Sequence, residues 1–176
     1  MPALSASRPE DGAGVIAKNQ PVSAEIVWRH NHIADENTEG DVRVPLANGA
    51  REIWTRKGRC VLPRVSKSGL VGWTHGTGYH PRQGLLNHTL VIARADKVLA
   101  RIDGAAHPFI NLWDFDDHDR TVVILSRGPH GSAMIEKFRI QDGKFLGEAF
   151  EGRPEEQPEW AKRFLQKGYV EGTYVQ

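Results

Sequence analysis

The sequence predicts an all-β fold: antiparallel four-stranded meanders with one C-terminal helix. Three observations carry that expectation. Short apolar runs recur from about Val22 onward, separated by turn residues. The block Val65–Trp73 is echoed by Phe115–Ile124, 50 residues further on. Only one segment, near the C-terminus, carries the charge order of a helix.

The elements follow in order. Residues 1–21 are rich in Ala, Ser, Pro and Gly with little periodicity, and read as a flexible N-terminal tail. Ser23–His30 reads as a strand through Ile26, Val27 and Trp28. Asp41–Leu46 alternates Val42 and Val44 with polar residues. Asn48-Gly49 is a hairpin signal, and Arg51–Thr55 returns with Ile53 and Trp54. Lys57-Gly58 turns the chain again. Cys60–Val65 leads through Ser66-Lys67-Ser68-Gly69 into Leu70–Thr74. A loop from His75 to Asn87 precedes Thr89–Arg94, and the turn Ala95-Asp96-Lys97 precedes Val98–Ile102. The rhythm then repeats. Phe109–Phe115 and Thr121–Ser126 flank the turn Asp116–Arg120. The loop Gly128–Gly131 leads to Ala133–Ile140, the Asp142-Gly143 turn and Lys144–Phe150. These strands make residues 22–151 one repeated β-meander domain.

Residues 152–176 supply a helix and a strand on the same domain. Pro158 suits a first helical turn, with Glu155, Glu156 and Glu159 at the positive end of the helix dipole. Lys162, Arg163 and Lys167 lie toward the other end, and Gly168 is placed to cap it. Trp160, Ala161, Phe164 and Leu165 share the face expected to dock on the sheets. Tyr169–Val175 is expected to return as a last strand.

The repeat is the most informative feature. Val65 to Phe115 spans 50 residues, Val71 to Val122 spans 51, and Asp96 to Asp142 spans 46. The differences are loop lengths. The segment before Cys60 fits the same cycle with its first strand missing. The turn Pro63-Arg64-Val65-Ser66-Lys67-Ser68-Gly69 resembles the Pro-x-x-Ser-x-x-Gly turn of TolB-type β-propeller repeats, and the meanders resemble WD-type repeats. The resemblance covers about Val22 to Glu151. It implies blade-like sheets. Ser68 stands where the usual turn Asp would be, and Trp113-Asp114 lies on a first strand, so it is not the WD signature. Residues 22–151 supply about three units, whereas propellers use roughly four to eight blades. The sheets must therefore stack as a compact body, continue across a homodimer, or gain the strand Tyr169–Val175 in the first unit.

Composition narrows the function classes. Among 176 residues, 23 are Lys or Arg and 22 are Asp or Glu, a net charge of +1. That balance argues against an acidic disordered tail and against a strongly basic nucleic-acid coat. Cys60 is the single cysteine, so no intrachain disulfide forms. It reads as a small apolar strand residue, although Arg56, Lys57 and Arg59 would favour a thiolate. No apolar run approaches the roughly 20 residues of a membrane-spanning helix. No signal peptide is visible, so a native Met1 implies the cytoplasm and a trimmed leader the periplasm or secretion.

Eight histidines are many for this length. In blades, second-to-third and fourth-to-first loops share one end. His75, His80 and His88 belong to one such loop, His130 to the next and His107 to Asp103–Pro108. Tyr79, Arg82 and Arg127 are close in sequence. The expected ligand-binding set is therefore His75, Tyr79, His80, Arg82, His107, Arg127 and His130. Neutral imidazoles from separate loops are suited to a divalent transition metal, with His75, His80 and His130 as ligands, or to acid–base work. Loop histidines bonded to backbone or water are the plainer alternative.

His30-Asn31-His32 places two rings on one side of a strand, but a solvated acidic loop follows. Asp114, Asp116 and Asp119 fail as a calcium loop, because His118 and Leu125 take positions that need oxygen ligands. Gly76-Thr77-Gly78 is followed by Pro81 where a third glycine belongs, so no dinucleotide fingerprint forms. Gly131-Ser132 lacks the flanks of a nucleophile elbow. Residues 42–95 hold nine basic residues and one acid, a charge of +8 against −7 elsewhere. With Trp54, Trp73 and Tyr79 this segment suits an anion or single-stranded nucleic acid, unless acidic neighbours neutralise it. The tryptophans are expected in the core. The reading is thus a non-enzymatic ligand- or protein-binding module that self-associates as a homodimer, needs no cofactor and has a histidine-rich rim. The alternatives are a metal-dependent hydrolase or lyase on that rim, and an anion or nucleic-acid binder.

Overall fold

The computed structural model describes residues 19–28, 40–56, 58–76, 79–80, 84–85, 88–104, 109–128 and 133–170; for Trp28, Arg59, Tyr79, His80, Gly84, Leu85, Tyr169 and Val170 only the backbone is described. Sheet one contains β1 (Glu25–Trp28), β2 (Gly40–Pro45) and β3 (Arg51–Arg56), in that order. Sheet two begins with β4 (Arg59–Val65) and β5 (Val71–Gly76). A two-stranded ribbon, β6 (Tyr79–His80) and β7 (Gly84–Leu85), precedes its remaining strands β8 (Thr89–Arg94) and β9 (Lys97–Asp103). Sheet three is β10 (Phe109–Asp116), β11 (Thr121–Arg127), β12 (Ala133–Arg139) and β13 (Phe145–Phe150). All pairings are antiparallel, and each sheet takes its strands in chain order, as a meander requires, with the β6–β7 ribbon inserted between β5 and β8. A short 3-10 turn at Pro154–Glu156 leads into α1 (Glu159–Val170).

Alternation along each strand sorts its side chains into two layers. Val42, Val44 and Trp54 of sheet one meet Val71, Trp73 and Val91 of sheet two. The other face of sheet two offers Leu90, Ile92 and Ile102, which meet Trp113, Val122, Ile124 and Phe138 of sheet three. The far face of sheet three, with Leu112, Val123, Leu125 and Ile135, receives Ala161 and Phe164 of α1. The order of layers is sheet one, sheet two, sheet three, helix. Sheets two and three are covered on both faces, which is why Thr121–Ser126 is buried at every position and reads as a continuous apolar run. Trp54, Trp73 and Trp113 lie in the core as expected.

Special backbone conformations fix the contacts between layers. Leu62 has φ 51° where the register of β4 and β5 shifts. This bulge aims the Leu62 carbonyl at sheet three, where it accepts a 2.8 Å hydrogen bond from Trp113 Nε1. Gly72 faces the same indole; a Cβ there would stand 2.3 Å from Trp113 Cη2. The Ser66–Gly69 turn closes on itself, with Ser66 Oγ accepting the Leu70 N–H at 3.0 Å. In the Asn48-Gly49 hairpin, Asn48 Oδ1 accepts the Ala50 N–H at 2.9 Å and Gly49 takes φ 84°.

Several expectations change. At the end of the expected tail, Pro21 bridges to Leu46 and the Val22 N–H donates to the Pro45 carbonyl; residues 1–18 lie outside the described residues. The loop from His75 to Asn87 contains the β6–β7 ribbon. Gly168 does not cap the helix but lies buried inside it, where a Cβ would stand 2.6 Å from Leu112 Cδ2. Tyr169 and Val170 continue α1, so the expected last strand starts as helix; the rest of that strand lies outside the described residues. Of the solutions to a three-unit chain, stacking into one body is the one the described residues display.

Candidate functional site

The strand registers decide which connections share an end. In sheet two, Arg59 stands opposite Gly76, His75 opposite Thr89, and Thr89 opposite Asp103. In sheet three, Phe109 stands opposite Arg127 and Arg127 opposite Ala133. The connections 77–88 and 128–132 therefore leave the same end of their sheets, and 104–108 joins those two ends. This is the rim on which the candidate residues were expected.

His75 is on β5, partly buried, opposite Thr89. Tyr79 and His80 lie on β6, opposite Leu85 and Gly84, and their side chains lie outside the described residues. Arg82, His107 and His130 also lie outside them. Arg127 ends β11, and its guanidinium donates to both carboxylate oxygens of Glu151 at 3.0 and 2.9 Å. Glu151 was not singled out in the sequence; it sits 24 residues from Arg127, and only the shared end of β11 and β13 brings them together. Nearby in the chain order of the rim, Thr89 Oγ1 donates to Asp103 Oδ1 at 2.6 Å. Two buried polar atoms at this end, Ser126 Oγ and His88 Nδ1, have no hydrogen-bond partner among the described residues. Buried polar atoms of this kind are normally satisfied. Among the described residues, no three His, Cys, Asp or Glu side chains gather as a metal-binding group.

The opposite end carries a different feature. A cavity of about 850 Å³ lies between the β4–β5 turn, the β10–β11 turn and α1. Its apolar floor includes Phe115, Val123, Trp160 and Phe164. The β10–β11 turn holds Asp117, His118 and Asp119 at φ 48°, 54° and 65°, three successive left-handed residues. The aspartates that looked like a calcium loop are instead engaged by donors. Asp114 pairs with Lys167. Asp116 takes Lys137 at 2.8 Å and Arg163 at 3.2 Å, and Asp117 takes Lys137 at 2.7 Å. Asp119 accepts the Ser68 N–H at 2.7 Å, tying the two turns.

These contacts shift two ionisations. Burial opposes the charged form of Asp116, but hydrogen bonds from Lys137, the Asp117 backbone and Arg163 hold its carboxyl below the ordinary value. Burial likewise opposes charged Lys137, yet Asp116 and Asp117 raise it above the ordinary lysine value. The arrangement is an ionic clamp from α1 to sheet three, with Lys137 also 5.8 Å from the centre of the Trp160 ring.

The basic segment is partly engaged by internal partners, two of them acidic. Arg43 faces Glu25 at 3.8 Å, Arg56 pairs with Asp96, and Arg94 donates to the Ser68 carbonyl at 3.1 Å. Arg56 also stacks on Trp73, 5.1 Å from the ring centre. Trp54 and Trp73 are buried and present no open stacking platform.

No protein-family model and no curated protein matches the chain. Among solved structures it is similar to the beta-propeller domain of the Trilobed protease from Pyrococcus furiosus, a domain described as having an open velcro topology. The TM-score is 0.50 at 12% identity, over 78% of this chain and 40% of that one. The chain thus spans well under half the length of the structure it matches, and the likeness is one of fold: stacked, propeller-like blades.

Proposed function

We propose that the chain is a non-enzymatic binding module that takes a small-molecule or protein ligand on the histidine-rich rim. One observation carries the reading: the connections holding Tyr79, His80, Arg82, His107 and His130 issue from one end of two packed sheets, the end at which His75 lies on β5. A rigid scaffold with long loops at one end is a common basis for recognition. Ser126 Oγ and His88 Nδ1, without a hydrogen-bond partner among the described residues, add hydrogen-bonding capacity at that end. The fold likeness adds only that propeller-type sheets are the scaffold.

Amide-detected NMR titration with zinc, inorganic phosphate and a short peptide mixture tests it. Saturable shifts confined to the amides of His75, Thr89, Asp103 and Arg127 are expected for whichever probe binds. Saturable shifts at Ser68 and His118 instead would move the site to the cavity and overturn the reading. A stoichiometric transition metal in purified protein, lost on changing His75, His80 and His130 to Ala, would replace it with the metal-dependent enzyme.

A further inference from the structure

The cavity between the β4–β5 turn, the β10–β11 turn and α1 lies at the end opposite the rim. Its volume of about 850 Å³ falls within the roughly 300–1,000 Å³ of small-molecule sites. Phe115 and Trp160 are half-buried and line it with aromatic surface.

Most of the charge around it is committed. Asp114 pairs with Lys167, Asp116 with Lys137 and Arg163, and Asp117 with Lys137. Three carboxylates are thus matched by three cations. Three other lining groups keep capacity for a ligand. Lys67 and His118 are exposed, and neither side chain has a partner among the described residues. Asp119 Oδ2 accepts the Ser68 N–H at 2.7 Å, while its Oδ1 has no partner among the described residues. The Ser68–Asp119 bond joins the two turns. Lys67, next to Ser68, and His118, next to Asp119, are therefore held at one mouth of the cavity. The left-handed backbone from Asp117 to Asp119 fixes the turn that presents His118.

We propose that this cavity is a second site, which takes an apolar α-amino acid as its zwitterion. The ammonium donates to Asp119 Oδ1, the carboxylate accepts from Lys67 Nζ and a ring N–H of His118, and the side chain lies against Phe115 and Trp160. Charge selects this class. The groups with capacity to spare are a cation, an imidazole and a carboxylate, so a ligand of one sign meets attraction from some and repulsion from another. A zwitterion satisfies all three. His118 and Asp119 are adjacent in the chain, which suits the short charge separation of an α-amino acid.

Amide-detected NMR titration of the full chain with L-phenylalanine tests this, with 3-phenylpropionate and phenethylamine as probes that lack one charge each. Saturable shifts at Ser68, His118 and Trp160 are expected with L-phenylalanine, and each analogue should bind at least about tenfold more weakly. Asp119→Asn keeps an acceptor for the Ser68 N–H and tolerates the left-handed backbone, and should abolish the preference for phenylalanine over 3-phenylpropionate. Lys67→Gln should weaken phenylalanine binding at least about tenfold with Tm unchanged. Equal affinity for the three compounds would overturn the zwitterion, and the absence of saturable shifts around the cavity would overturn the site. Phenylalanine shifts confined to Thr89 and Arg127 would also overturn it while leaving the rim reading in place, so the two readings fail separately.

Discussion

Trp113 shows how much of the sheet-to-sheet packing rests on single atoms. Its ring is fully buried, it fills the space left by the absent Cβ of Gly72, and its Nε1 holds the Leu62 carbonyl. Gly72→Ala should cost about 1–3 kcal/mol by overpacking, measured by urea unfolding. Trp113→Phe removes ring volume and leaves the Leu62 carbonyl without its donor, a loss of about 1–3 kcal/mol for the hydrogen bond alone. Combining the two changes should cost less than their sum, because the smaller ring makes room for the methyl; strict additivity would mean that the close approach is not what matters. Ser126 gives the opposite expectation. Its buried hydroxyl has no partner among the described residues, so Ser126→Ala should raise stability by about 1 kcal/mol. If it also weakens binding at the rim, the hydroxyl serves the ligand; a loss of stability would show instead that a partner satisfies it in the folded chain.

At the scale of elements, the clamp between α1 and sheet three makes docking depend on pH. Asp116 titrates below its ordinary value of 3.8, so its contribution is full above that value and is lost as pH falls through the folded value. Lys137 titrates above 10.5, so its contribution is full below that value and is lost as pH rises through the folded one. Replacing Lys137 with Met removes one favourable partner and raises Asp116 relative to the original chain, with burial then opposed only by the Asp117 backbone and Arg163. The difference in Tm between the original chain and Lys137→Met should therefore narrow as pH falls below the ordinary aspartate value of 3.8. A constant difference would assign the lysine to packing on Trp160 alone. None of this pairing was legible in the sequence: Lys137 and Asp116 are ladder residues on different strands, and only the register and the docked helix bring them together. The strands themselves were legible, because Val42 and Val44 alternate cleanly and Asn48-Gly49 has one favoured turn geometry. Gly168 misled for a physical reason. A glycine near a helix end serves a left-handed cap or a close approach equally well, and here the approach to Leu112 decided. The candidate rim was legible as an arrangement of loops, through the repeat, but Glu151 beside Arg127 was not.

At the scale of the whole molecule, the described residues form a stack of three blade-like sheets, and the two ends of the stack are finished differently. α1 covers the apolar outer face of sheet three, the face that another sheet would otherwise cover. Sheet one ends on a mixed face, because Glu25, Arg43 and Ile53 stand in one cross-strand row beside Asp41 and Thr55. Ile53 is 61% exposed there. Self-association should therefore run through sheet one while α1 stays docked, and through sheet three once it leaves. Ala161 is fully buried at the helix contact, and a carboxylate in its place has no partner and must leave the apolar layer. Ala161→Asp in the full chain should undock α1 and expose Leu112, Val123, Leu125 and Ile135. Solution mass and dye binding to apolar surface should then rise together. Ile53→Lys in the otherwise unaltered chain should lower any self-association without increasing dye binding. Retention by Ala161→Asp of both the original mass and the original dye response would show that the helix is not what finishes that end of the stack.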